Sequence, residues 1–170
     1  MPNPLLRSRN KTLSLEKPRL LGVVNVTPDS FSGDGLLGSP EKAVAQGLAM
    51  LDAGADLLDL GGESTGPGSA EVSLKDELER VLPVLRALRE KTDAWISVDT
   101  YKAEVVRQTL EAGADVVNDV TALRGDPEMA GVIAESGVPA ILMYAKDGSP
   151  RTTTDLVEYD DVVKAVRSFF

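Results

Sequence analysis

Cysteine and histidine are both absent from the 170-residue chain. Without cysteine there is no disulfide scaffold, no thiolate-bound zinc and no thiol nucleophile. Without histidine there is no Ser-His-Asp machinery, no imidazole acid or base, and none of the commonest transition-metal ligand. What remains is chemistry on carboxylates, amides, hydroxyls, amines and bound hard cations. No apolar run approaches the ~20 residues of a membrane span, and no charged start with an apolar stretch marks a secretory signal. The reading is a cytoplasmic protein without a membrane partner, in which the sequons Asn10-Lys11-Thr12 and Asn25-Val26-Thr27 are chance matches. Blocks of Lys or Arg are missing as well: 27 acidic residues against 18 basic ones give a formal net charge of -9. Nucleic acid is therefore not an expected partner. An anionic small molecule remains compatible, because helix N-termini and backbone N–H groups act locally whatever the net charge.

What is present is a core. With 42% apolar residues the chain can bury one hydrophobic centre, which predicts one compact unit. Short runs rich in Val, Ile and Leu at 20–26, 56–60, 94–98, 116–118 and 140–143 alternate with amphipathic stretches, the pattern of parallel β/α units. Ser39 before Pro40, Ser73 with Asp76, and Asp126 before Pro127 read as helix starts, and Gly54, Gly113 and Gly137 as helix stops. Leu74, Leu78, Val81, Leu82, Leu85 and Leu88 form the apolar stripe of the second helix. Residues 1–19 are expected to form a polar strand or hairpin leading into the first strand of the parallel set. At the other end Val162, Val163, Val166, Phe169 and Phe170 share one helical face, and the uncapped stop suggests a chain cut from a longer one. Five parallel strands in 170 residues suit an open, flavodoxin-like sheet better than a closed eight-stranded barrel.

The loops that follow the strands carry the polar residues. In parallel α/β folds the C-terminal strand ends form the ligand face, so Asn25 sits where an amide can reach an anion or a metal. The same residue, with Asp29, could equally form an Asx-type turn. Gly33, Gly35 and Gly38 have the spacing of a dinucleotide fingerprint, but they do not follow the strand directly, so the match is read as accidental. The second strand ends in Gly61-Gly62-Glu63-Ser64-Thr65-Gly66-Pro67-Gly68, a hydroxyl- and glycine-rich loop at the same end. Asp99 and Asn118 close the third and fourth strands; together they suit a heterocycle with ring N–H groups, and either could instead cap the following helix.

Taken jointly, Asn25-Val26-Thr27-Pro28-Asp29-Ser30-Phe31-Ser32, Gly61-Gly62-Glu63-Ser64-Thr65, Ser97-Val98-Asp99-Thr100-Tyr101-Lys102 and Asn118-Asp119-Val120 resemble the ordered motifs of the dihydropteroate synthases. The resemblance runs from about Thr12 to the end. It implies a TIM (β/α)8 barrel of which this chain holds about the first five units, a partial pterin-binding barrel domain over 1–170, and so overrides the length argument for an open sheet. It also implies a transferase that condenses 6-hydroxymethyl-7,8-dihydropterin pyrophosphate with p-aminobenzoate, releasing pyrophosphate and making 7,8-dihydropteroate. By resemblance Asn25 would hold a magnesium-pyrophosphate leaving group. Asp99 and Asn118 would grip the pterin and act with Asn25 in catalysis. The loops around Phe31 and around Ser64, Thr65 and Pro67 would close over the aminobenzoate, while Val117 and Met143 would line the pocket.

Three departures stand out against the family pattern: Gly66 where arginine usually follows the threonine, Ser32-Gly33-Asp34-Gly35 where Ser-Asp-Gly-Gly is usual, and Tyr144 where histidine is common. The family's later aspartate, lysine and arginine-histidine pair have no counterparts here. A non-catalytic pterin- or anion-binding protein, or a pterin binder like the methyltetrahydrofolate corrinoid methyltransferases, is therefore the competing reading. A homodimer or a complementing chain is a third, since a half-closed barrel exposes two strand edges.

Overall fold

Five short strands carry apolar side chains on both faces, which only a sheet covered on both sides can use. In the computed structural model, which describes residues 4–27, 39–145 and 158–170, they are β3 (Leu21–Asn25), β4 (Leu57–Gly61), β5 (Trp95–Asp99), β6 (Val116–Asp119) and β7 (Ala140–Leu142). They pair in parallel, in chain order, β3-β4-β5-β6-β7. Between them run α1 (Pro40–Asp52), α2 (Leu74–Arg89), α3 (Ala103–Glu111) and α4 (Met129–Ser136).

That order decides the architecture. A flavodoxin-like sheet reverses direction at a switch point and places helices on both faces. Here the order never reverses, so crossovers of one hand put every helix on the same face, as in a TIM barrel. The expectation of an open doubly wound sheet from length is corrected on this ground. One large core joins Val24, Leu58, Leu60, Ile96, Val98 and Val117 of the strands to Val81, Val84, Leu85 and Leu88 of α2, Val105 and Val106 of α3, and Val132 of α4. The chain forms the first five β/α units of the barrel.

The opposite face, the barrel interior, is sealed at its lower end by the N-terminal hairpin. β1 (Leu5–Ser8) and β2 (Lys11–Ser14) pair antiparallel, joined through Arg9 in the left-handed region at φ 53°. Leu6 and Leu13 pack against Leu57, Trp95 and Val116. The hairpin is pinned by the Lys11 ammonium, 3.0 Å from Asp115, a buried carboxylate that also receives Arg89 and the Ile96 N–H.

Helix boundaries follow local chemistry. Ser73 caps α2, its hydroxyl accepting from the Asp76 N–H at 3.1 Å. Gly54, Gly113 and Gly137, just past three helix ends, take φ of 106°, 109° and 67°, conformations that glycine adopts without a Cβ penalty. One expected start is corrected: α4 begins at Met129, not beside Pro127. Asp126 still shapes that entry, its Oδ1 accepting from the Glu128 N–H at 2.9 Å, while its Oδ2 accepts from the Ala103 N–H at the start of α3 at 2.8 Å. Glu77 lies on the buried stripe of α2 among Val81, Val84, Leu85 and Leu88. A last helix, α5 (Val162–Phe169), is capped by Asp161 and meets the rest of the chain through aromatic contacts: Phe169 stands edge-on to Tyr144 at 5.0 Å and lies under Arg124. Among the described residues no helix is long and apolar enough to cross a membrane.

Candidate functional site

Register brings the polar strand ends to one level. Asn25 pairs with Gly61, Gly61 with Asp99, Asp99 with Asn118, and Asn118 with Ile141. In parallel pairing, level residues point to the same face. Since the helix-facing row is Val24, Leu60, Val98 and Val117, the row Asn25, Gly61, Asp99 and Asn118 faces the interior. One step below it lie Asp59 and Ser97, paired level with each other. Gly61 supplies the gap in the row: a Cβ there would meet Asn25 Oδ1 at 3.8 Å and Asp99 Oδ2 at 3.8 Å. The space it leaves is thus flanked by an amide oxygen and a carboxylate oxygen.

Asp99 is the most perturbed group of the row. Its Oδ1 is buried and has no hydrogen-bond partner among the described residues. Burial first, then the charges of Asp59, Glu77, Asp119 and Glu63, push its pKa from 3.8 up to about 7. A buried carboxylate oxygen without a partner is costly in a folded protein, and such groups mark sites completed by a ligand. Asp99 does not cap α3, whose N-cap is Lys102. Asn118 does not cap α4 either: its Nδ2 donates inward to Asp59 Oδ2 at 3.0 Å. The turn after β6 is built by its neighbour Asp119, which accepts from the N–H groups of Thr121 and Leu123 at 2.7 Å each. That turn holds Ala122 and Leu123 at φ of 50° and 66°.

Behind the row a buried ion cluster fastens two loops. Lys102 Nζ bonds Glu63 and lies 2.5 Å from Glu77 Oε2, with the three side chains 15%, 4% and 1% exposed. Tyr101 donates its hydroxyl to Glu63 Oε1 at 2.9 Å. The loop from Gly61 onward is thereby tied to the loop after β5 and to the first turn of α2. Further out, the Ser69 hydroxyl donates to the carbonyls of Ser64 and Gly66 at 2.6 and 2.8 Å, shaping the turn that carries Ser64, Thr65 and Pro67. Thr65 is half-buried; Ser64 and Pro67 are exposed.

The expected residues do not all converge. Asn25, Asp99 and Asn118 stand in one interior row. Met143 follows β7 at the rim, 40% exposed, its N–H donating to Asp119 O. Val117 is corrected: alternation turns it away from Asn118 into the sheet-helix core, where it is 2% exposed and cannot line the interior. Phe31, with Pro28, Asp29 and the shifted glycines Gly33, Gly35 and Gly38, lies outside the described residues. Tyr144, at the position where histidine is common, packs against α5.

Two residues escape a reading of the sequence alone. Asp59 is a carboxylate within Leu57-Leu58-Asp59-Leu60, a strand buried on both faces, and it lies two residues before Gly61 on the same face. A charged residue there must have partners, and that is the available signal. Glu77 interrupts the apolar stripe of α2 at i−4 from Val81, a similar signal. Among the described residues no three carboxylates or imidazoles form a metal cage.

The comparisons with known proteins agree with this geometry. The family model for pterin binding enzymes matches residues 21–170. The chain belongs to the pterin-binding enzyme family. It is 46% identical over 151 residues to the dihydropteroate synthase of Synechocystis, covering 89% of this chain and 52% of that one. A Xanthomonas albilineans dihydropteroate synthase solved with 4-aminobenzoic acid superposes with a TM-score of 0.85 at 45% identity, covering 98% of this chain and 58% of that chain. The same organism's enzyme in complex with 7,8-dihydropteroate gives 0.82 at 43% identity, covering 98% and 57%. The chain therefore spans a little over half the length of these relatives.

Proposed function

We propose that this chain is the pterin- and pyrophosphate-binding part of a dihydropteroate synthase. The reaction is substitution at the methylene carbon of 6-hydroxymethyl-7,8-dihydropterin pyrophosphate: the aminobenzoate nitrogen forms the C–N bond, the C–O bond to pyrophosphate breaks, and the amine proton leaves to solvent. The observation that carries the reading is the buried, unpartnered Asp99 Oδ1, level with Asn25 and Asn118 across the gap at Gly61, in a pterin-binding barrel.

Each residue then has a task. Asp99 and Asn118 bind the pterin ring, and an ionised Asp99 stabilises positive charge that grows on the heterocycle as the leaving group departs. Asn25 lies at the edge of the same row, where its amide oxygen is a hard donor suited to magnesium, an ion that uses few protein ligands alongside phosphate oxygens. Magnesium, when bound, would neutralise charge on the departing pyrophosphate. The electrostatics support such an ion. Asp99 senses four other carboxylates, and Lys102 beside them is already paired to Glu63 and Glu77, so a diphosphate brought here needs a cation of its own. The loop of Ser64, Thr65 and Pro67, with Phe31 opposite, would take the aminobenzoate. A cytoplasmic setting and the pairing of two copies belong to this reading.

Calorimetric titration of the chain with the dihydropterin pyrophosphate, with and without magnesium, tests the proposal. Binding should require magnesium and weaken about tenfold or more in Asp99→Asn, the value of a charge-assisted hydrogen bond. No heat from a folded wild-type chain would refute it. A second reading, pterin binding without turnover, is favoured by Gly66, which leaves the loop without its usual cation. Saturable pterin binding with no dihydropteroate formed when p-aminobenzoate is added would select it.

A further inference from the structure

We infer that Asp59, held by Ser97, orients the Asn118 amide so that its carbonyl oxygen faces the barrel interior, selecting a heterocycle that presents N–H donors along one edge. The inference rests on the pterin pocket proposed above and concerns a residue beneath that pocket.

A carboxamide has two ends of nearly the same shape and opposite hydrogen-bonding sense, so its partner decides which end points where. Asn118 has such a partner. Asp59 lies one level below, 4% exposed, and its Oδ2 receives Asn118 Nδ2 at 3.0 Å. Its other oxygen receives the hydroxyl of Ser97, a residue with no exposed surface. An ionised carboxylate accepts only, so it fixes the nitrogen end of Asn118 toward itself and leaves the oxygen end for the ligand. Both oxygens of Asp59 already hold protein donors, which makes it a positioning residue and not a ligand-binding one.

The consequence is a pair of adjacent acceptors. Asp99, level with Asn118, brings a buried oxygen that has no partner among the described residues. Beside it the Asn118 carbonyl adds a second acceptor. The two match the 2-amino and ring N–H donors of a 2-amino-4-oxopteridine. Above pH 7, where Asp99 is ionised, they oppose a 2,4-dioxopteridine, whose 2-oxygen would face oxygen with no proton between.

In Asp59→Leu the hydroxyl of Ser97 can turn to Leu58 O, 3.3 Å away, and the Asn118 amide has no acceptor left to hold its NH2 end, so either end can face the ligand. Binding of 2-amino-4-oxopteridine and 2,4-dioxopteridine at pH 8 to the wild-type chain, Asp59→Leu and the Asp59→Leu/Asn118→Asp double variant reads this directly. The wild type should favour the 2-amino compound, and Asp59→Leu should lower that preference several-fold, since a site whose polar groups match one ligand leaves them unpaired with the other. The double variant restores an acceptor-only side chain at position 118 and should regain it, which a merely structural role for Asp59 would not produce.

A wild type that binds and discriminates, with Asp59→Leu discriminating equally, would overturn the orienting role and leave the pocket standing. A folded wild type that binds neither compound would remove the pocket and this inference together. Should Asp59→Leu not fold, solvent exchange of the Asn118 side-chain NH2 protons in the native chain decides. Protected protons agree with donation to buried Asp59, and freely exchanging ones overturn it.

Discussion

Lys102 Nζ lies 2.5 Å from Glu77 Oε2, across 25 residues of sequence, and joins the residue before α3 to the first turn of α2. Because Glu63 shares the same ammonium, one cation serves two buried carboxylates, and Glu77 Oε1 has no partner among the described residues. The cluster holds the Gly61-to-Gly68 loop against the loop that follows Asp99.

Removing that cation should be severe. Lys102→Met leaves Glu63 and Glu77 buried without a counter-charge, at a cost of about 3–5 kcal/mol. Denaturant unfolding should show the loss, and adding Glu77→Gln should recover part of it. An unchanged midpoint in Lys102→Met would mean the cluster is not a stabilising unit.

Stability should also report on Asp99. Its pKa rises from 3.8 to about 7 on folding, so the folded state holds a proton that the unfolded state releases between those values. The stabilising contribution of the neutral form is complete below about pH 4 and is lost as pH climbs through 7. Asp99→Asn keeps the neutral shape at every pH. It should therefore flatten the decline between pH 4 and 8 and stabilise the chain on the order of 1–3 kcal/mol at pH 8, less than the full shift would give. Thermal melts across that range measure both, and parallel pH profiles would count against a perturbed Asp99.

Two neighbouring glycines should behave oppositely. A Cβ on Gly62 would lie 2.7 Å from Val81 Cγ2 and 3.0 Å from Glu77 Cγ, against the helix. Gly62→Ala should cost about 1–3 kcal/mol of stability, as overpacked sites do. On Gly61 the nearest atoms are 3.7 Å away, an ordinary contact, so Gly61→Ala should fold normally yet fill the space between Asn25 and Asp99. Unfolding and pterin titration of the two variants separate these roles; pterin binding unaffected by Gly61→Ala would show that the gap holds no ligand.

At Gly66 the backbone has room. A Cβ there would meet only Ser64 Oγ, at 3.4 Å, and Gly66 is not among the residues of positive φ. Gly66→Arg should leave stability within about 0.5 kcal/mol. It should also tighten binding of the dihydropterin pyrophosphate several-fold at low salt, with the gain fading as salt screens the added charge. Titrations at two ionic strengths check this, and equal affinity of the two proteins at low salt would mean the loop does not face the substrate anion.

Much of the fold and of the interior polar row is legible in the amino-acid sequence. The strand positions follow from short runs such as Val23-Val24 and Leu57-Leu58 bounded by polar loops, because a strand covered on both faces needs apolar residues continuously. Asn25, Asp99 and Asn118 are legible because a polar residue ending such a run lies at the ligand end of a parallel sheet. Val117 departs from its expected place because its neighbour Asn118 faces inward and period-two alternation reverses the next side chain. Asp126 makes the local bond its position suggests, accepting from the Glu128 N–H, while its second oxygen reaches 23 residues back to Ala103, a contact that no local pattern shows.

The sequence by itself determined the β/α alternation, the helix stops at Gly54, Gly113 and Gly137, and which strand ends carry amides and carboxylates, since these depend on residues within a few positions of one another. Only the tertiary structure decided that the sheet runs in unbroken order, that the hairpin closes its lower end, and that Asp59, Glu77 and Lys102 lie behind the interior polar row. Those outcomes rest on register and on contacts between residues 25 to 104 positions apart. A shift of one residue in register would turn every side chain of the row to the opposite face.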